Sequence, residues 1–143
     1  MRSNSQNGYV VSASSIWDGG HNSCFAFDGN RMTRWASRGT GTEWIQIRLP
    51  SPALCNVVRI YSRGDGYLNQ TPKTFSIQAS TNGSNWVTLT SQTNVHWATC
   101  GEVHRYTFEN ETQYQYFRMV CTVNMGGVAH AISGLEFGWE PPV

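Results

Sequence analysis

Apolar and polar residues alternate over short stretches along most of this chain, and clusters of Gly, Asn, Asp, Ser and Pro separate the stretches. A period of two marks a strand with one face buried, whereas a helix repeats its apolar positions every three or four residues. Trp44-Ile45-Gln46-Ile47-Arg48-Leu49 sets Ile45, Ile47 and Leu49 on one face against Gln46 and Arg48 on the other, and Pro50-Ser51-Pro52 is expected to end it. Leu54 to Tyr61 is a β-branched run. Thr74 to Ala79 alternates before an Asn82-Gly83 turn, and Trp86 to Leu89 answers across that turn. Val103 to Phe108, Tyr114 to Val123 and Ile132 to Phe137 continue the series. The pattern predicts about eight strands, an all-β fold and a sandwich. With no repeat or linker, 143 residues predict a single domain over 1–143.

Charge narrows the partners. Ten Lys+Arg against nine Asp+Glu give +1, and Lys73 is the one lysine, so there is no basic stripe to track phosphates and nucleic acid is excluded as a partner. No apolar run reaches the roughly 18–20 residues that span a bilayer. Cys24, Cys55, Cys100 and Cys121 are widely spaced without a C-x-x-C, which allows three disulfide pairings or none. Asn-x-Ser/Thr triplets start at Asn69, Asn82 and Asn110. Nucleophile elbow, zinc-protease and phosphate-loop motifs are missing and the carboxylates are scattered singly, so the chain reads as no enzyme.

The stretch from Cys24 to Trp35 is too polar for a core strand. Asp28, Asn30 and Thr33 offer hard oxygens at close spacing around Gly29, a pattern that suits either an ordinary Asx turn or a Ca²⁺ loop.

Several pieces in order carry a resemblance: Ala26-Phe27-Asp28-Gly29-Asn30 with Thr33-Arg34-Trp35, Trp44-Ile45-Gln46-Ile47, Val57-Val58-Arg59-Ile60-Tyr61, Lys73 to Ser80, Asn82-Gly83-Ser84-Asn85-Trp86, Tyr116-Phe117-Arg118 and Ile132 to Phe137. Over nearly its whole length the chain resembles the discoidin, or coagulation-factor type C, domains and the related family 32 carbohydrate-binding modules. The resemblance implies an eight-stranded antiparallel β-sandwich of the galactose-binding-like jelly-roll type. It also implies a structural Ca²⁺ held by the Phe25 carbonyl, Asp28, Asn30, Thr33 and Glu136.

Ligand loops in that family lie at one end of the sandwich. Mapped onto this chain they bring Trp17, Asp18, His21, Arg38, Arg63, Asp65, Tyr67, Asn69, His96 and Trp97 to a rim, which Asn124 to His130 joins. Trp17, Tyr67 and Trp97 are the residues suited to stack on a pyranose, and Arg63 and Asn69 occupy the places of a galactose-binding pair. The relatives' histidine after the motif tryptophan is replaced by Ala36-Ser37-Arg38. The implied function is a non-catalytic, lectin-like module that attaches a larger extracellular or surface protein to glycans, as an oligomer or in tandem copies, with terminal galactose or a related sugar as ligand. The alternative is an adhesion domain for a protein partner or an anionic phospholipid surface, with Trp17, Trp97 and Met125 as apolar tips; a single lysine gives such a surface little to work with.

Overall fold

The computed structural model describes residues 1–142. Eleven strands, all paired antiparallel, occupy them: β1 (Ser5–Gln6), β2 (Tyr9–Ala13), β3 (Trp35–Ala36), β4 (Glu43–Ala53), β5 (Val57–Tyr61), β6 (Pro72–Ser80), β7 (Val87–Gln92), β8 (Val103–Thr107), β9 (Tyr114–Asn124), β10 (Ala131–Ile132) and β11 (Gly134–Gly138). Eight of them have five or more residues, and seven of those eight, all but β2, fall on stretches predicted as strands. One sheet runs β1-β2-β4-β9-β6-β7, a second runs β11-β5-β8, and β10 pairs with β3. The galactose-binding-like sandwich is formed by the first two.

Alternation decides what lies between the sheets. Ile45 of β4, Phe75 and Ile77 of β6 and Met119 and Cys121 of β9 are buried on one side, against Val58 and Ile60 of β5 and Leu135 of β11 on the other. The outward residues of the large sheet form a cross-strand row: Arg118 stands between Gln46 and Gln78 in register, donates from Nε to Gln78 Oε1 at 2.8 Å, and lies 3.9 Å from the Trp86 ring centroid.

Three boundaries differ from the expectation. Strand β4 does not stop at Pro50-Ser51-Pro52 but runs through it to Ala53. Pairing with β9 lapses after Arg48↔Tyr116 and resumes at Ala53↔Tyr114, so both prolines fall where the ladder needs no N–H, and Gln115 Nε2 donates to Leu49 O at 2.9 Å. The run from Ile132 to Phe137 is two strands in two sheets. It divides at Ser133, whose N–H donates to Tyr61 O (2.9 Å) and whose Oγ donates to Ser62 O (2.7 Å). Strand β2 was not expected; only Val11 of its five residues is buried, so it carries no clear period.

Trp97, expected at the rim as a stacking surface, is instead a core residue. It is 0% exposed, donates from Nε1 to Pro72 O at 2.9 Å, and stacks on the His104 ring with centroids 3.8 Å apart. A large indole in a polar loop finds its lowest free energy inside the sandwich once its N–H has an acceptor. All four cysteines are unpaired; Cys24, Cys55 and Cys121 are buried and Cys100 is exposed.

Because Trp97 fills core volume, Trp97→Ala is expected to lower unfolding free energy by about 3–5 kcal/mol. Urea denaturation followed by far-UV circular dichroism measures this. A loss below 1 kcal/mol would place Trp97 outside the core.

Candidate functional site

The loops at one end of the sandwich are stitched side by side through their backbones. Trp17 N–H donates to Ala36 O (2.7 Å), Ser37 N–H to His130 O (2.8 Å) and Gly127 N–H to Asn69 O (2.9 Å). Gly64 N–H donates to Arg31 O (3.1 Å), and Gly101 N–H to Arg63 O (2.9 Å). A Cβ at Gly64 would lie 2.3 Å from Arg31 O, so only glycine lets these two loops meet. Asn124 braces the last loop, donating to Gly127 O and Ala129 O and accepting from Gly126 N–H.

Arg63 anchors the middle of this surface. Its side chain is buried, with the whole residue 4% exposed. Nε and Nη2 donate to the two oxygens of Asp65 (2.9 and 2.8 Å), and Nη1 donates to Gln70 Oε1 (2.8 Å). A guanidinium removed from water requires such an answer, and a bidentate carboxylate supplies it. Arg34 Nη1 approaches the same carboxylate at 3.5 Å. The Arg63 hydrogen bonds hold the Asp65 carboxyl below the usual carboxylate range, against the opposing pull of burial.

Above Arg63 stands Tyr67, its ring centroid 4.6 Å from the guanidinium carbon. Tyr67 takes a left-handed backbone conformation (φ 54°) directly after Gly66 (φ 108°), a turn that leaves it 64% exposed. A bulky residue held at positive φ is strained, and its surroundings must fix it there.

The other expected residues divide. Trp17 is 44% exposed beside Asp18. Asp18 caps the turn Gly19–His21, accepting from Gly20 N–H (2.9 Å) and meeting His21 Nδ1 at 2.5 Å; the His21 hydrogen bond lowers its carboxyl pKa. Arg38, Asn69 and His96 are exposed. The structure thus brings Trp17, His21, Arg38, Arg63, Asp65, Tyr67 and Asn69 to the stitched loops, with His96 on the neighbouring loop before Trp97. Sequence reasoning missed Arg34 and Gln70. Arg34 belongs to the Thr33-Arg34-Trp35 motif, where it sits beside the buried Trp35 and reaches Asp65 from another loop.

The loop from Asp28 to Thr33 folds on itself. Asp28 Oδ1 accepts from Asn30 N–H (3.0 Å), Asp28 Oδ2 accepts from the Thr33 hydroxyl, and that hydroxyl also lies 3.0 Å from Asn30 O. Glu136, on β11, lies with its carboxylate 3.6 Å from Arg31 Nη2. Phe25 belongs to the turn Ser23–Ala26 that precedes the loop. Among the described residues no group of three or more His, Cys, Asp or Glu converges, so a cation here would rest largely on neutral oxygens.

The F5/8 type C domain family model matches residues 10–133. The chain belongs to that family. Sequence comparison with curated proteins found no match. Among solved structures, this F5/8 type C domain is similar to chitosan-binding module 1 of a chitosanase/glucanase from Paenibacillus sp. IK-5, at 26% identity over 92% of this chain and 96% of that one, with a TM-score of 0.77. It has the fold of a Clostridium perfringens family 32 module in complex with GalNAc-β-1,3-galactose (20% identity, 91% and 94% covered, TM-score 0.78). It likewise has the fold of the family 32 module of Clostridium perfringens NanJ in complex with galactose (20% identity, 91% and 93% covered, TM-score 0.77).

The depressed Asp65 pKa carries a pH signature. A carboxyl whose pKa is lower in the folded state stabilises the fold at pH above its unfolded value, about 3.9, and that stability is lost as pH falls through the folded value. Urea midpoints of wild type and Asp65→Asn between neutral pH and pH about 2 are expected to converge as acid removes what the variant already lacks. Parallel curves would refute the coupling.

Proposed function

We propose that this domain is a non-catalytic carbohydrate-binding module that attaches a larger extracellular or surface protein to glycans, with the Tyr67 rim as its ligand face. The observation that carries this reading is the exposed Tyr67 ring, fixed at positive φ over a buried, fully braced Arg63. Preorganised aromatic surface is what the apolar C–H face of a pyranose needs, and Trp17 offers a second such face nearby. Exposed Arg38, Asn69 and His96, with His21, supply the polar groups that select hydroxyl orientation. Asp65 and Asp18 already answer Arg63 and His21, so the rim favours a neutral sugar, with terminal galactose or a related pyranose as the leading ligand. Support comes from the two family 32 modules of the same fold that are in complex with galactose and with GalNAc-β-1,3-galactose, both neutral sugars. A phospholipid surface is less well supported: Met125 packs against the core cluster and Trp97 lies inside it.

A shallow single site of this kind binds one sugar at roughly −4 to −6 kcal/mol, so useful attachment comes from oligomers or tandem copies.

We further propose that Asp28, Asn30 and Thr33, with the Phe25 carbonyl and Glu136, hold a structural Ca²⁺. The all-oxygen chemistry of the loop supports this. The cation would tie the loop to β11, adding binding free energy to the folded state alone.

Tyr67→Ala is expected to weaken galactoside or related glycan binding at least tenfold, about 1.4 kcal/mol, while leaving the urea midpoint unchanged because the ring is exposed. Arrayed glycans and calorimetry on the hits measure it. A well-folded wild type that binds no glycan would overturn the reading.

Saturating Ca²⁺ is expected to raise the melting temperature of EDTA-treated protein by several degrees, corresponding to about 2.7 kcal/mol at a hundredfold excess over Kd, and Asp28→Ala is expected to abolish the rise. Equal melting temperatures with and without Ca²⁺ would exclude the site.

A further inference from the structure

At the opposite end of the three-stranded sheet lies a groove of about 1130 Å³, lined by Leu54, Asn56, Arg105, Glu109, Glu111 and Trp139 among others. Its separation from the rim follows from strand register. Tyr61, which leads into Arg63, pairs with Val103 and Gly134, whereas Val57, at the groove end of β5, pairs with Thr107 and Gly138. Four residue steps along β5 put the two strand ends about 13 Å apart before the loops begin.

The groove is built on fixed parts. Asn56 and Glu140 exchange hydrogen bonds through the Asn56 amide and the Glu140 backbone (2.7 and 2.8 Å), and the Glu140 carboxylate holds both Arg59 and Arg105. That clamp positions Trp139, which is 49% exposed. Trp139 also lines an adjoining, mostly apolar cavity of about 610 Å³. On the other wall, Asn110 donates to Cys55 O (3.0 Å) and Thr112 O (2.9 Å) and fixes the loop that carries Glu109 and Glu111.

The charges here are unusual for this molecule. The chain has nine carboxylate side chains. Asp18 and Glu102 each meet a histidine; Asp65, Glu136 and Glu140 each meet an arginine; Asp28 and Glu43 accept from threonine or serine hydroxyls. Among the described residues, Glu109 and Glu111 alone make no side-chain hydrogen bond or ion pair, and both line the groove. Arg105, the groove's cation, is spent on Glu140.

An exposed, clamped indole in a groove that also carries two unanswered carboxylates matches a ligand with an apolar ring face and a positive charge. We propose that this groove is a second binding site, for an oligomer of a protonated amino sugar, separate from the rim. A hexosamine ring packs its C–H face on Trp139 while its ammonium groups meet Glu109 and Glu111. The rim has no such complement, because its own carboxylates are already paired.

The test is calorimetric titration with a glucosamine tetramer in mildly acidic buffer, where the ligand's amines are protonated, beside its N-acetylated counterpart, which has the same rings without the charge. Wild type is expected to bind the amino tetramer at least tenfold more tightly than the acetylated one, with the difference shrinking as salt rises. E109Q/E111Q is expected to erase that preference, and Trp139→Ala to weaken both ligands. The two glutamates are exposed and contact no partner, so their replacement leaves folding intact. No binding of the amino tetramer, a preference that survives E109Q/E111Q, or a loss confined to Tyr67→Ala would overturn the proposal. A galactoside arm separates the two sites: a blank there with amino-tetramer binding intact would sink the rim reading and leave this one standing.

Discussion

Everything in this fold leans on β9, which pairs with β4 along one edge and β6 along the other. Its Phe117, Met119 and Cys121 are buried in alternation, and this central stripe is the surface onto which the three-stranded sheet closes. A strand flanked on both sides has no freedom of register: a one-residue slip would turn its apolar row to water. The loops at either end of the sandwich inherit that rigidity. Arg63 lies just past Ser62 at the end of β5, and Asn124, which shapes the last rim loop, is the final residue of β9 itself.

How much of this was legible in the sequence depended on whether the deciding interaction was local. Strands β4, β6 and β9 show in the chain because each alternates over many residues and buries one face. Strand β2 does not show, since Tyr9 and Val10 are exposed although β1 pairs with them, and Val11 is left as a lone buried residue. Pro50 and Pro52 read as a stop because a proline costs a ladder bond; what defeats that reading is a gap in pairing created by the partner strand.

The same distinction runs through the site. That Arg63, Asp65 and Tyr67 share a turn is written in Gly64 and Gly66, so loop residues were found where turn chemistry marked them. The inward path of Trp97 is set by the Pro72 carbonyl and the His104 ring, neither of which can be located from the tryptophan's neighbours. Arg34 and Gln70 were overlooked for a related reason: an ion pair or hydrogen bond formed between loops, or along a turn, leaves no periodic trace. The resemblance supplied the positions of the loops, and packing decided which side chains stay on the surface.

The distribution of thiols has a practical consequence. Burial pushes the Cys55 thiol up to about 11 and raises Cys24 and Cys121 as well, so these three are poor nucleophiles at neutral pH, whereas Cys100 is open to solvent. Cys100 precedes Gly101, whose N–H holds the Arg63 carbonyl. A maleimide dye would therefore attach at one place, beside the rim, and report its occupancy. Tethering the domain to a surface by the same thiol would press that face against the support and leave the Trp139 end outward.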